Sequence, residues 1–288
     1  MERIRNAIER TKASSASGTL PSQQARAPLL APQAQAAQIS SGSPQSSEKE
    51  IALNAAHLES KRIVAHDIAD HRAKSFDMLR TQVLQSMAMK SWQILGITSA
   101  TPNCGKSTIA TNLALSIARQ PGRSVLLVDM DLQKPQIAKL LGLNCKWGIG
   151  SVLEGRTDLA GALVQASINN EKIVVLPCRS PRLNSSEWMS SQAMAALMQQ
   201  IKRDFRAWTV VIDLPPILMS DDVISILSQI DCVLFVAAAG ATTVEEIKEC
   251  TKHLESTPIV RVVLNKTLDE TEAYYSRYGK YHAAEASA

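Results

Sequence analysis

The chain has 288 residues, 45% of them apolar, a formal net charge of +4 and only 4% aromatic residues. That length holds one α/β domain of roughly 200 residues together with flexible ends. The charge is modest and no basic stripe is interleaved with aromatics, which argues against nucleic acid as a partner.

Residues 1–12 place Ile4, Ala7 and Ile8 on one helical face, with Arg3, Arg5, Arg10 and Lys12 around it. Two readings stay open: an element that docks weakly on a partner or an anionic membrane surface, and a solvated helix too short to persist alone. Residues 13–57 read as a disordered linker, because 13–49 consist mostly of Ser, Ala, Gln and Pro and lack the apolar side chains that offset the entropy of ordering. Ile68, Phe76, Leu79, Val83 and Met87 predict a helix over residues 67–87. From Trp92 onward, apolar β-rich runs at 93–98, 124–128, 173–176, 209–212, 232–238 and 261–264 alternate with helical periodicity. Such alternation predicts a doubly wound α/β domain with a mostly parallel sheet, spanning residues 58–266. Residues 267–288 read as a flexible tail. No run of eighteen apolar residues occurs, and residues 1–30 lack the apolar centre of a secretory signal. A cytoplasmic location is therefore expected, with the inner face of the cell membrane reached through a partner. The five cysteines (Cys104, Cys145, Cys178, Cys232, Cys250) have no paired metal-ligand spacing, which fits a reducing compartment without zinc.

The sharpest signal lies directly after the first apolar run. Ala100-Thr101-Pro102-Asn103-Cys104-Gly105-Lys106-Ser107 stands between that strand and a helical pattern beginning at Thr108. Backbone N–H groups of such a turn, with the positive end of the following helix, hold a polyphosphate, while the lysine reaches the outer phosphates and the serine a bound magnesium. Ala100 stands where glycine is usual, which an unstrained turn accommodates. Cys104, at a helix N-terminus, is expected to react with thiol reagents.

Two further strands end in acids: Val128-Asp129-Met130-Asp131 and Ile212-Asp213-Leu214-Pro215-Pro216. Magnesium needs only a few carboxylates beside the phosphates, because it keeps waters. Asp213 is the first candidate. Asp129 and Asp131 are expected to divide between ordering the metal shell and acting as base on an attacking hydroxyl. Asn265, at the end of the last apolar run, is a candidate for the nucleotide base, and Asp221 and Asp222 read as caps of the helix that follows. The four tyrosines of the chain, Tyr274, Tyr275, Tyr278 and Tyr281, all lie in the tail. Confinement there is hard to explain by core packing and suggests acceptors for phosphate, each phosphate adding about −1.5 to −2 charge.

Together, the phosphate loop, the motif from Val128 to Pro135, the segment Asn184-Ser185-Ser186-Glu187, the motif from Asp213 to Pro216 and the tyrosine tail resemble the bacterial tyrosine autokinases of capsule and exopolysaccharide loci, over residues 60–282. The resemblance implies the P-loop fold of the MinD/ParA-like group, with ATP and Mg2+ as cofactors. It implies transfer of the terminal phosphoryl group to tail tyrosines, in trans between subunits of a homo-oligomer. By the same resemblance Lys106, Ser107 and Thr108 hold the phosphates, and Ser107, Asp129, Asp131 and Asp213 the metal. The implied partners are a membrane polysaccharide co-polymerase of the chain-length-determinant type, whose cytosolic tail switches the kinase on, and a cognate phosphotyrosine phosphatase. Two departures stand out: Gln133 occupies a position where the family has arginine, and in the helix through which subunits meet Lys74, Asp77 and Arg80 stand where the pattern is Glu, Arg, Arg, with charge reversed at the first two, so the resemblance does not carry ring assembly through this helix over to the chain. The competing functions are an ATPase switch of the partition type, which carries a lysine where this chain has Thr101, and a non-catalytic nucleotide-binding scaffold.

Overall fold

The apolar runs form six strands of a single sheet in the computed structural model, which describes residues 50–182 and 184–267. The strands are β1 (Ile51–Ala52), β2 (Ile94–Ser99), β3 (Val125–Asp129), β4 (Val164–Ile168), β5 (Glu171–Leu176), β6 (Thr209–Asp213), β7 (Cys232–Ala238) and β8 (Ile259–Asn265). The helices are α1 (Ala55–Ser60), α2 (Ala73–Lys90), α3 (Lys106–Ala118), α4 (Ile137–Leu141), α5 (Ile149–Leu153), α6 (Leu159–Ala162), α7 (Ser185–Met189), α8 (Gln192–Asp204), α9 (Asp222–Leu227) and α10 (Val244–His253). The spatial order is β1-β4-β5-β3-β6-β2-β7-β8, parallel throughout except where β4 runs antiparallel to β5.

Alternate residues of the central strands serve two apolar clusters. Ile94, Leu126, Val128, Val210 and Ile212 pack into one, with α8 and α9; Leu95, Ile97, Leu127, Val211 and Leu234 pack into the other, with α2 and α3. Since neighbouring side chains of a strand point to opposite faces, one cluster lies on each side of the sheet. Helix α3 is buried over almost its whole circumference, Thr108 being its one residue that is not. This is the composition of a helix enclosed on all sides, and it gives the phosphate loop a rigid base.

Three expectations change. Residues 51–57, read as linker, are part of the fold: Ile51 pairs with Ala166, and the Leu53 N–H donates to the Ser167 carbonyl at 2.8 Å. Two residues of strand carry too little pattern to read. The helix expected over 67–87 runs over Ala73–Lys90 instead, leaving Ile68 76% exposed. Asp67 accepts from the Ala69 N–H and Asp70 from the Arg72 N–H, so both aspartates form local turns that compete with the helix. Strand β4 was not expected at all, although its buried and half-buried residues alternate and Asn169 and Asn170, both at positive φ (51° and 68°), close a tight hairpin to β5.

One side chain ties the segment before α2 to the phosphate-loop helix. Asn112, fully buried on α3, accepts from the Val64 and Ala65 N–H groups at 2.8 and 2.9 Å and donates to the carbonyls of Arg62 and Thr108. Below this, Asp77 of α2 accepts from Ser116 at 2.7 Å and from Arg80 and Arg119. Asp77 and Arg80 are thus committed inward, against α3, and of the two positions that depart from the family pattern only Lys74 is not. Replacing Asn112 by Ala leaves two buried N–H groups without an acceptor and should destabilise the chain by roughly 2–3 kcal/mol in urea unfolding; an unchanged midpoint would show that residues 62–65 do not depend on this clamp.

Candidate active site

Gly105 enters α3 at φ 95°, a left-handed conformation, and a Cβ there would meet the Asn265 amide at 2.2 Å. Glycine is required on both counts. Ala100, by contrast, lies outside the positive-φ residues, so its methyl group causes no strain. The loop is braced from beneath: Thr98 donates to the Pro215 carbonyl at 2.7 Å, Ser99 to the Thr101 carbonyl at 2.8 Å, and the Leu218 N–H to the Ala100 carbonyl. Asn265 donates its amide to the Cys104 carbonyl at 2.8 Å. It therefore fastens the end of β8 to the loop, while still lining the cavity above.

That cavity, of about 710 Å3, is bounded by Pro102, Asn103, Gly105, Lys106, Ser107 and Thr108 of the loop and by Asp131, Gln133 and Lys134 of the β3–α4 turn. Ala100, Thr101 and Cys104 do not line it. Cys104 is 2% exposed with its sulfur 3.6 Å from the Thr242 hydroxyl, so the reactive thiol expected there is closed off from reagents. The other four cysteines are buried too, and burial pushes the thiols of Cys178 and Cys232 up to about 12.

The acids converge because of strand order. β3 and β6 are neighbours, and the register sets Asp129 directly beside Asp213. Next to β6 lies β2, which delivers the loop. Lys106 folds back onto this floor, its ammonium 2.6 Å from Asp131 and 3.6 Å from Asp213. Asp129 anchors α4 by accepting from the Gln136 and Ile137 N–H groups, both at 3.0 Å, through one oxygen. Its other oxygen and both oxygens of Asp213 are buried without a hydrogen-bond partner. Burial pushes the Asp129 carboxyl well up from its ordinary value, and the charge of Asp213 adds to this. Asp213 is pushed up by burial as well, against the attraction of Lys106. Burial alone would lower Lys106, but the fields of Asp213 and Asp131 outweigh it and hold the ammonium above its ordinary value. Three buried carboxylate oxygens without a hydrogen bond, one of them in the Lys106 ion pair, suit a hard cation. No group of three His, Cys, Asp or Glu encloses a metal among the described residues, but magnesium bound to phosphates keeps its waters and does not need one.

Strand β3 ends at Asp129, and Asp131 reaches the cavity from the turn beyond it, where it also caps the Lys134 N–H at 2.9 Å. The two acids of this motif are thereby separated: Asp129 lies beneath the floor and Asp131 at the wall. Asp221 and Asp222 stand at the start of α9 but cap nothing with their side chains; they share the single proton of the Ser186 hydroxyl, 2.7 and 2.6 Å away. Sequence reasoning missed Arg62, Arg72, Phe76, Gln136, Leu140 and Met219, which complete the cavity wall. None lies in a motif; Arg62 is held by the Asn112 clamp, Gln136 and Leu140 come with α4, and Met219 with the turn after β6. The four tail tyrosines and the short helix over residues 1–12 lie outside the described residues.

A model of the CobQ/CobB/MinD/ParA nucleotide-binding domain matches residues 95–283, more than half of the chain. The tyrosine-protein kinase YwqD of Bacillus subtilis is 31% identical over 212 residues, 73% of this chain and 86% of that protein. The chain belongs to the bacterial tyrosine-kinase family. The succinoglycan biosynthesis transport protein ExoP of Rhizobium meliloti is 29% identical over 77% of this chain. This chain spans under a third of the length of that relative. Among solved structures, the kinase domain of the Escherichia coli tyrosine kinase ETK matches at TM-score 0.64 and 26% identity, over 70% of this chain and 78% of that one. Among the described residues no helix is long and apolar enough to cross a membrane.

The buried acids give the site a measurable signature in its family fold. Keeping Asp129 ionised costs stability above its raised folded-state value, and that cost disappears below the ordinary carboxylate range. Without nucleotide and with chelator, Asp129→Asn should therefore melt several degrees above the parent at about pH 8, the advantage shrinking as pH falls towards about 4. A variant that melts level with the parent or lower at the higher pH contradicts the assignment of strain to this carboxylate.

Proposed function

We propose that the chain is an ATP-dependent protein-tyrosine autokinase that modifies its own tail tyrosines in trans, within exopolysaccharide or capsule production. The observation that carries this is a cavity rimmed by a phosphate loop and lined by Lys106 and Asp131, with Lys106 also 3.6 Å from the buried Asp213, beside which Asp129 lies beneath the floor. Pro102 to Thr108 would cradle the phosphates of ATP with backbone N–H groups, and the Lys106 ammonium would exchange Asp131 for the outer phosphates. Ser107, Asp129 and Asp213 would hold magnesium, which when bound would supply neutralisation of the phosphate charge. Asp131, the acid at the cavity wall, takes the phenolic proton as the tyrosine oxygen attacks. Positioning and charge stabilisation supply most of the rate in such transfers.

Tyr274, Tyr275, Tyr278 and Tyr281 are the acceptors in this reading. A membrane polysaccharide co-polymerase of the chain-length type recruits the chain to the inner face of the membrane and activates it, a phosphatase resets the tail, and a homo-oligomer brings one tail to another subunit's site. The names of the relatives, a succinoglycan transport protein among them, support the polysaccharide setting. With Asp77 and Arg80 held against α3, that oligomer forms through contacts other than this pair.

Incubation of the full chain with magnesium ATP and the cytosolic tail of the co-polymerase, followed by mass spectrometry of the tail peptides, tests the proposal. Phosphate should appear on Tyr274, Tyr275, Tyr278 or Tyr281 and fall by at least about a hundredfold in Lys106→Met. Tyrosines that stay unmodified while ATP is bound would contradict it.

A further inference from the structure

The loop that follows β5 and the segment from Lys146 to Arg156 bring four cations together. The Lys146 ammonium lies over the Trp147 ring, 5.1 Å from its centroid, and the Arg156 guanidinium stands 5.8 Å from the same centroid. Arg182 lies over Trp188 at 5.7 Å, and Arg179 donates to the Lys146 carbonyl at 3.4 Å. Among the described residues Glu154 is the single carboxylate paired with these cations, and Arg156 and Arg182 share it. Lys146 and Arg179 are exposed and have no ion-pair partner there. The next acids along the chain are engaged elsewhere: Asp158 accepts from the Gly161 N–H, and Glu187 from Asn184. Four like charges converge, and one carboxylate offsets their repulsion only in part. This surface adjoins the site. The Arg182 N–H donates to the Leu132 carbonyl at 2.8 Å, and Leu132 stands between Asp131 and Gln133, both of which line the cavity.

An uncompensated basic surface calls for an anion. A lipid surface would also offer apolar tails, yet none of the large exposed apolar side chains among the described residues lies here, and both tryptophans are half-buried beside their cations. An acidic peptide suits the surface better, and this sequence contains one: Asp269, Glu270 and Glu272 stand directly before the four tyrosines, with no cation between them and Arg277. We propose that Lys146, Arg156, Arg179 and Arg182 form a docking site for residues 269–272 of a second copy of the chain, which holds that copy's tyrosines against the phosphate-loop cavity. The inference rests on the tail tyrosines as acceptors and adds the surface that selects them. The spacing fits: Tyr274 and Tyr281 follow Glu272 by two and nine residues, spans of at most about 7 and 32 Å. Within one subunit the reach is too short. Five strand steps separate β8 from β5, about 24 Å at ordinary strand spacing. Asp269 and Glu270 lie four and five residues beyond Asn265, at most about 14 and 18 Å, so their partner belongs to another copy.

Transfer between two full-length variants tests the docking site. A donor with all four tail tyrosines changed to Phe and an acceptor carrying Lys106→Met are mixed with magnesium ATP and the cytosolic tail of the co-polymerase. Lys146→Glu with Arg179→Glu in the donor, at two exposed side chains without an ion-pair partner, should raise the KM for the acceptor about tenfold or more, while kcat and the Kd for ATP stay within about twofold. An acceptor with Asp269→Lys, Glu270→Lys and Glu272→Lys should be impaired to the same degree on the parent donor and restored by the reversed donor to within about threefold of the parent pair. A fluorescent peptide of residues 266–288 should bind the four-Phe chain, and the same reversal should weaken it about tenfold or more. The inference is overturned by an unchanged KM and peptide affinity, by no restoration in the reciprocal swap, or by a parallel loss of ATP affinity. A reversed surface that releases the chain from phosphatidylserine vesicles while tail labelling holds overturns it too, since the surface then faces lipid. The peptide measurement needs no phosphoryl transfer: charge-dependent binding with unlabelled tyrosines sinks the kinase reading alone, and labelling without charge dependence sinks the docking site alone.

Discussion

The register of two neighbouring parallel strands sets Asp129 beside Asp213, and the rest of the site is arranged around that juxtaposition. Two carboxylates side by side in a fully buried position are unfavourable, since burial and mutual repulsion both oppose their ionisation. Lys106 relieves part of the repulsion, and the two N–H groups at the start of α4 relieve another part. Three oxygens remain unsatisfied. The fold tolerates this because the surrounding sheet and two apolar clusters hold the strands rigidly, so the carboxylates cannot move apart. Stored unfavourable charge of this kind is what a cation with bound phosphates would complete, and it explains why acids that reduce stability sit at the carboxyl end of the sheet, where ligands of doubly wound folds bind.

How much of this was legible in the sequence follows the length scale of each signal. The phosphate loop, the apolar strand preceding it and the helix after it are contiguous, and the structure places them as expected. Asp129, Asp131 and Asp213 could be named because each closes an apolar run, but their adjacency depends on strand order, which no local pattern records. The cavity wall contributed by Arg62, Phe76 and Leu140 was invisible for the same reason. Cys104 is a different kind of error: its position at a helix start suggested a reactive thiol, whereas its side chain turns under the loop towards Thr242. The hairpin of β4 and β5 was legible and was overlooked, since Asn169-Asn170 between two alternating segments is a turn signal with a physical basis.

The departures from the family pattern become coherent once the packing is seen. Asp77 would be misplaced if α2 met another subunit as an arginine does, but it is matched by Arg80, Arg119 and Ser116 within the same chain. Gln133 lacks the charge of an arginine, yet its amide is held by the Ser185 hydroxyl of α7 and the buried Asp222 carboxylate of α9. Each change is accompanied by partners that suit the new side chain, so neither reads as decay of the site.

The central claim is that a magnesium nucleotide, and not the nucleotide alone, completes the buried acid cluster. Thermal unfolding of the full chain with ATP and magnesium, with ATP and chelator, and with magnesium alone tests it most directly. The account predicts a rise in melting temperature with both ligands that exceeds the sum of the separate effects and disappears in Asp213→Asn. An equal rise with ATP in chelator, or one that survives Asp213→Asn, would contradict it.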